Sequence, residues 1–319
     1  MSSSEKVHFV LRTNKNIERK LIVECLRTMQ PHFDFSKYRY IGMGSFWFAD
    51  FLLFHKSFSI VAMDSIETAA LAERASFNKP LACIEVHSGF TTNILPTIEL
   101  AREPCIIWLD YDSDLTGPVL EDVRISAGEL KPGSVFIITL NAHIGQLGPS
   151  SMENSNEGKV DVLSRLAPDL VPSDINPEVL TQKGFQKILG KIVFAHLAHC
   201  VKKADPSKDF MPMFNFAYKD DTPMVTVGGM IVDEQRKLAF DKCNLSASCE
   251  YATVETQYRI NVPPLTMKEK FAIDQLLPSV GGPKEEEVKR RYGFSIKQSQ
   301  LRDYQRFYRF YPLFGEMQN

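Results

Sequence analysis

The chain has 319 residues, 44% of them hydrophobic and 24% charged, a balance able to bury a substantial core. Its formal charge is −2, so the molecule as a whole offers no long-range attraction for nucleic acid or an anionic membrane. No apolar run reaches membrane-spanning length, and Met1-Ser2-Ser3-Ser4-Glu5-Lys6 lacks the apolar stretch of a secretion signal, so a soluble, cytoplasmic protein is expected. The 6 cysteines form no CxxC pair. Cys83 and Cys105 fall in strand-like runs and are expected as buried thiols, while Cys243 and Cys249 have no nearby histidine to suggest zinc.

In chain order, residues 16–29 read as an amphipathic helix, with Ile17, Leu21, Cys25 and Met29 on one face and Pro31 beyond its end. Residues 38–41 are a short strand ending at Gly42-Met43-Gly44-Ser45, and the aromatic-rich run 46–56 is expected as a buried helix. A strand over 59–63, a helix over 68–78, a strand over 81–86 and a helix over 92–101 follow. Residues 105–109 form a continuous apolar run, the pattern of a parallel strand covered on both faces, and end at Asp110-Tyr111-Asp112-Ser113-Asp114. A helix over 118–127 leads through Pro132-Gly133 to a strand over 135–141. This alternation predicts an α/β layer architecture with right-handed crossovers.

The rhythm then changes. Residues 144–179 are rich in Gly, Ser, Asn, Asp and Pro, with a helix expected only near 158–166, so an excursion at the sheet's edge or mouth is expected. A long helix over 182–202 precedes two strands, 213–218 and 224–232, joined as an antiparallel hairpin by Lys219-Asp220-Asp221-Thr222-Pro223. The tail from 267 onward is mostly helical. The expected organisation is an N-terminal helical cap over 1–37, a core over 38–233 with the insertion 144–181, and a helical extension over 234–319.

A glycine-rich turn between a first strand and a first helix lets backbone approach a ligand and sets helix N–H groups beside it. Gly42-x-Gly44 has that context but lacks the third glycine of the dinucleotide fingerprint, which disfavours a pyrophosphate cofactor. A ribose needs an acceptor for its hydroxyls, and a carboxylate at the end of the second strand supplies one. Asp64 and Glu67 both qualify, with Glu67 preferred.

The order of these features resembles the class I S-adenosylmethionine-dependent methyltransferases over residues 38–232. The family's Gly-x-Gly and first-helix acid correspond to Gly42, Gly44 and Asp50, and its second-strand acid to Asp64 or Glu67. Its third-strand loop corresponds to Ser88-Gly89 and its fourth-strand tip to Asp110. The resemblance implies a three-layer Rossmann-like fold with a mostly parallel seven-stranded sheet and an antiparallel terminal hairpin. It implies S-adenosylmethionine held by Gly42, Gly44, Ser45, Asp64 or Glu67, Ser88, Gly89 and Asp110, and a reacting end served by Asp110, Asp112 and His143, the last as a proton acceptor.

The Asp/Asn-Pro-Pro-aromatic signature of nucleic-acid amino-methyltransferases is absent, since Leu109-Asp110-Tyr111-Asp112 carries no proline. Asp110 with Asn141 falls short of the oxygen-rich metal site of cation-dependent O-methyltransferases, and no metal is expected. The acceptor is unidentified, with oxygen or nitrogen of a small molecule or protein favoured. A non-catalytic cofactor-binding or interaction module on the same fold is the alternative. The tail's Arg302, Arg306 and Arg309, mixed with Tyr304, Phe307, Tyr308 and Tyr311, leaves nucleic-acid contact open but not favoured over core docking, a protein partner or a homodimer.

Overall fold

The structure is a computed structural model that describes residues 12–147, 156–167, 170–171, 180–249, 251 and 256–313. The core alternates strand and helix: α1 (Thr13–Met29), β1 (Arg39–Gly42), α2 (Ala49–Phe58), β2 (Ala62–Glu67), α3 (Ala69–Asn78), β3 (Ile84–Ser88), α4 (Thr91–Ile94), β4 (Cys105–Asp110), α5 (Gly117–Glu129) and β5 (Val135–Asn141). After the insertion, which carries α6 (Asn156–Leu166), come α7 (Gln182–Ala204), β6 (Asp209–Lys219) and β7 (Pro223–Val232). The extension adds α8 (Glu234–Lys242), α9 (Leu245–Ser248), β8 (Tyr258–Arg259), α10 (Met267–Asp274), α11 (Glu285–Tyr292) and α12 (Gln298–Phe307). Much of the expected excursion lies outside the described residues.

The strands form one sheet in the order β3-β2-β1-β4-β5-β7-β6-β8. β1 to β5 run parallel, and β7 enters antiparallel between β5 and β6. The sheet is therefore 8-stranded where seven strands were expected. The additional strand is the two-residue β8, aligned with β6 at Phe216 and Ala217, and too short to show a period-2 pattern.

Side-chain alternation divides the apolar residues between the two faces. Tyr40, Met63, Ile106, Trp108 and Ile137 meet α1 and α2 on one face, while Ile41, Ile66, Ile107, Leu109 and Ile138 meet α5 and α7 on the other. α1 buries Ile17, Leu21, Ile22, Cys25, Leu26 and Met29 in the first cluster, each worth roughly 1.5–3 kcal/mol for the larger aliphatic groups. The extension joins that same cluster through Val288, Leu301, Tyr304, Phe307 and Tyr311. These three aromatic rings are therefore core, not a stacking surface for bases.

Several element boundaries differ from expectation, and three of the differences have a local cause. α2 begins at Ala49, not at residue 46, because Ser45 (φ 54°) and Phe48 (φ 46°) are left-handed and a right-handed helix cannot run through them. β2 runs on to Glu67, four residues beyond Met63, because Asp64 and Ser65 find partners inside the fold. α4 stops at Ile94 and passes into a 3₁₀ turn over Leu95–Thr97, since Pro96 has no N–H to continue an α-helix. No helix among the described residues is long and apolar enough to cross a membrane.

Candidate active site

The C-terminal ends of β1 to β4 converge on one cavity of about 740 Å³, roofed by α1 and the β6–β7 turn. Open α/β sheets place ligands at this end, where the strands stop and the helix N-termini begin.

The turn after β1 is built by its neighbour. Gly44 N donates to Ser65 Oγ at 3.0 Å, and Ser45 N donates to Glu67 Oε1 at 2.7 Å. Ser65 Oγ donates to the same Glu67 oxygen at 2.9 Å. A Cβ at Gly44 would lie 2.4 Å from the Phe48 ring and 2.9 Å from Ser65 Oγ, so the close approach of this loop to β2 requires glycine. Gly44, Ser45 and Glu67 line the cavity; Gly42 ends β1 beneath it without lining it.

Glu67 and Asp64 are three residues apart on one strand and so face opposite ways. Glu67 is buried in the cavity wall, where desolvation raises its carboxyl above the ordinary value, opposed by the Ser45 and Ser65 hydrogen bonds. Asp64 is turned to the other face, where its oxygens bond Arg39 Nη1 and His87 Nε2, each at 2.8 Å. Asp64 does not line the cavity, which removes it as the ribose acceptor. Ser88 is likewise exposed outside the cavity, while Gly89 lines it.

At the β4 tip Asp110 and Asp112 both line the cavity. Asp110 meets a residue that sequence reasoning missed. Lys15 Nζ donates to Asp110 Oδ1 at 2.8 Å and lies 2.9 Å from Glu18 Oε2, an ion pair not aligned as a hydrogen bond. The ammonium also lies 4.7 Å from the Trp108 ring centroid and 5.6 Å from that of Tyr218. Glu18 is fully buried, and its desolvation raises its carboxyl despite the adjacent lysine. The available signal was charge on an apolar face: Lys15 and Glu18 fall one helical turn apart and in line with Ile22.

His143 is exposed, its Nδ1 accepts from Gly145 N at 3.1 Å, and it does not line the cavity. The end of β5 stays bound to the loop after β4, Asn141 N donating to Ser113 O at 3.0 Å, but the His143 side chain lies outside the cavity where Asp110 and Asp112 face. Asp50, in the first turn of α2, does line the cavity and accepts from Tyr40 Oη. Asp122 accepts from Thr91 and Tyr111 through Oδ2, leaving Oδ1 buried without a partner.

Fold and cavity together have the arrangement of the class I, S-adenosylmethionine-dependent methyltransferases: the Gly44-Ser45 turn after β1, an acid at the β2 tip and another at the β4 tip face one space, on a sheet closed by an antiparallel β7. Over residues 7–319 the sequence matches the family described as "Putative O-methyltransferase", and the chain belongs to that family. No curated protein matches the sequence. Among solved structures, the chain is similar to a putative O-methyltransferase from Klebsiella pneumoniae, with 15% identity over 69% of this chain and 80% of that one and a TM-score of 0.38. It is also similar to the O-methyltransferase TomG from Streptomyces achromogenes, with 12% identity over 65% and 78% of the two chains and a TM-score of 0.35. It spans 43% of LepI and 54% of the methyltransferase SibL, about half the length of those relatives.

Proposed function

We propose that the chain transfers a methyl group from S-adenosylmethionine to an oxygen of a small-molecule acceptor enclosed in this cavity. The observation that carries the reading is that Glu67, Asp110 and the Gly44-Ser45 turn face one cavity of about 740 Å³, within the roughly 300–1,000 Å³ of small-molecule sites. Its unpaired polar atoms fit the donor: Arg19 Nε and Nη1 and Ser45 Oγ are buried without hydrogen-bond partners in residues that line the cavity. When bound, the sulfonium supplies an electrophilic methyl group.

Glu67 has one oxygen engaged by the Ser45 and Ser65 donors, and Oε2 is left to accept the ribose hydroxyls. Asp110 Oδ1 is held by Lys15, and Oδ2 is left to take the proton of an acceptor hydroxyl as its oxygen bonds to the methyl carbon. Lys15 holds that carboxylate in a fixed orientation through its charge-assisted hydrogen bond. The reading is of a cytoplasmic enzyme, with nucleic acid not favoured as a partner because Tyr304, Phe307 and Tyr311 are buried and offer no rings for base stacking.

Calorimetric titration with S-adenosylhomocysteine tests the donor half. Wild type is expected to bind, and Glu67→Ala to bind at least 10-fold more weakly, on the order of the 1.5–3 kcal/mol of hydrogen bonds to a charged group. A wild-type protein that does not bind under varied salt would end the reading. The acceptor half is tested by mass-spectrometric detection of methylated products from a pool of phenols and other small hydroxyl compounds; if wild type and Asp110→Asn give the same products at the same rates, Asp110 has no role in transfer.

A further inference from the structure

α1 and the residue before it bring three cations to the cavity, Arg12, Lys15 and Arg19. Arg12 Nε lies 3.8 Å from Asp221 and Lys15 Nζ lies 2.8 Å from Asp110. Arg19 differs from both. It is 6% exposed, its Nε and Nη1 are buried without hydrogen-bond partners, and among the described residues it makes no ion pair. A guanidinium withdrawn from water with donors left unbonded is costly, and a fork of planar donors is shaped for a carboxylate.

The surroundings of Arg19 indicate which part of a ligand lies there. Arg19 and Asp50 line the same cavity on two helices, α1 and α2, that pack on each other; Asp50 lies in the first turn of α2, shortly after the Gly44-Ser45 turn, and the Arg19 charge acts on its carboxyl. Asp50 is 6% exposed, lines the cavity, and is steadied by the Tyr40 hydroxyl. A buried guanidinium with unused donors and a buried carboxylate beside it, not bonded to it, form a receptor for a group that carries both charges. The methyl donor has one such group, the α-amino acid of its methionine part.

We propose that Arg19 binds the α-carboxylate of the methyl donor and Asp50 its α-ammonium, so that α1, outside the parallel core, positions the reactive end of the cofactor. This inference rests on the donor reading above and goes beyond it by assigning two positioning residues. It makes donor affinity depend on a helix that carries no part of the Gly-x-Gly turn. The competing source of a carboxylate is the acceptor, and the ligands below distinguish the two.

The test is calorimetric titration of the full chain with S-adenosylhomocysteine, its decarboxylated analogue and its desamino analogue. In wild type, loss of the carboxylate is expected to weaken binding about 30-fold or more, the range for truncating one partner of a buried charge pair. Arg19→Met should bind S-adenosylhomocysteine and the decarboxylated analogue alike. Arg19→Lys should retain part of the gap, which keeps the test available if the methionine variant folds poorly. Asp50→Asn should close the gap for the desamino analogue. Equal wild-type affinity for S-adenosylhomocysteine and its decarboxylated analogue, or a gap that survives Arg19→Met, overturns the inference while leaving the donor reading intact. A wild-type chain that binds none of the three overturns both.

Discussion

Lys15 Nζ and Asp110 Oδ1 meet at 2.8 Å, tying the N-terminal helix to the tip of the central strand β4. The lysine side chain is 4% exposed and the aspartate 22%, so the pair sits at the boundary between core and cavity. Removing the cation strands Glu18, which is fully buried, along with Asp110. Lys15→Met is therefore expected to lower stability by about 3–5 kcal/mol, the cost of breaking a buried ion pair by one partner. Chemical denaturation measures this directly. A loss below about 1 kcal/mol, typical of exposed pairs, would show that the pair is solvated. The double variant Lys15→Met with Glu18→Leu should recover part of the loss, because the stranded charge is then gone.

The β1 turn gives a second prediction. A methyl group at Gly44 would overlap the Phe48 ring at 2.4 Å, and Phe48 cannot easily retreat, since it is fully buried and left-handed at φ 46°. Gly44→Ala is expected to cost about 1–3 kcal/mol through overpacking and to weaken S-adenosylhomocysteine binding by displacing the Ser45 amide from Glu67. Thermal melts and titration report the two effects separately. Unchanged affinity with a lowered melting temperature would mean the turn serves the fold alone.

Much of this architecture is legible in the sequence because parallel strands advertise themselves. The apolar run of β4 and β5, and the turn residues between elements, come from requirements that act locally. What is not legible comes from contacts between distant residues. Glu67 rather than Asp64 reaches the cavity because Arg39 and His87 capture Asp64 on the opposite face, a fact of strand pairing and not of spacing. Lys15 is hidden because a charged residue near a helix start normally faces water, and only the sheet beneath α1 reveals that this one does not. His143 follows β5 directly, but its side chain is exposed outside the cavity, a matter of side-chain direction that spacing does not give.

The roof over the cavity depends on an unusual cap. α1 has no side-chain cap of its own at Arg12; instead Asp220, in the β6–β7 turn, accepts from Asn14 N at 3.0 Å, from Lys15 N at 3.0 Å and from Asn14 Nδ2 at 3.1 Å. A carboxylate at a helix N-terminus satisfies free N–H groups and opposes the helix dipole. Asp220→Ala is expected to destabilise by about 1–2 kcal/mol, as for loss of an N-cap, with the first turn of α1 losing amide protection. Hydrogen exchange at Asn14 and Lys15 checks this; protection equal to wild type would assign the capping to other groups.

Burial of Glu67 sets a pH dependence. Its carboxyl is raised above the ordinary 4.5, so the folded protein holds that proton more tightly than the unfolded chain. Glu67 therefore adds stability below 4.5, and that contribution is lost as pH rises through its folded value. Glu67→Gln should flatten the slope of unliganded stability above 4.5, gaining on wild type as pH rises. Melting temperatures across that range should converge at the acid end. Parallel curves for the two proteins would show that Glu67 titrates as it does in water.

Cys249 runs the opposite way. Hydrogen bonding from Cys25, with help from Tyr251 and Thr28, lowers its thiol to about 6 against the ordinary 9.0, although burial opposes the shift. Thr28 Oγ1 lies 3.7 Å from the sulfur, and Cys25 places the contact on α1. A depressed folded value means that the thiolate contributes stability fully present above 9.0 and lost as pH falls through about 6. The ultraviolet absorbance of the thiolate should titrate near 6 in wild type and disappear from that range in Cys249→Ser. Cys25→Ala should move the midpoint upward by removing the strongest donor, and should loosen α1 from α9 only slightly. A midpoint unchanged in Cys25→Ala would place the depressed thiol elsewhere and break the link between the α1 helix and the extension at this contact.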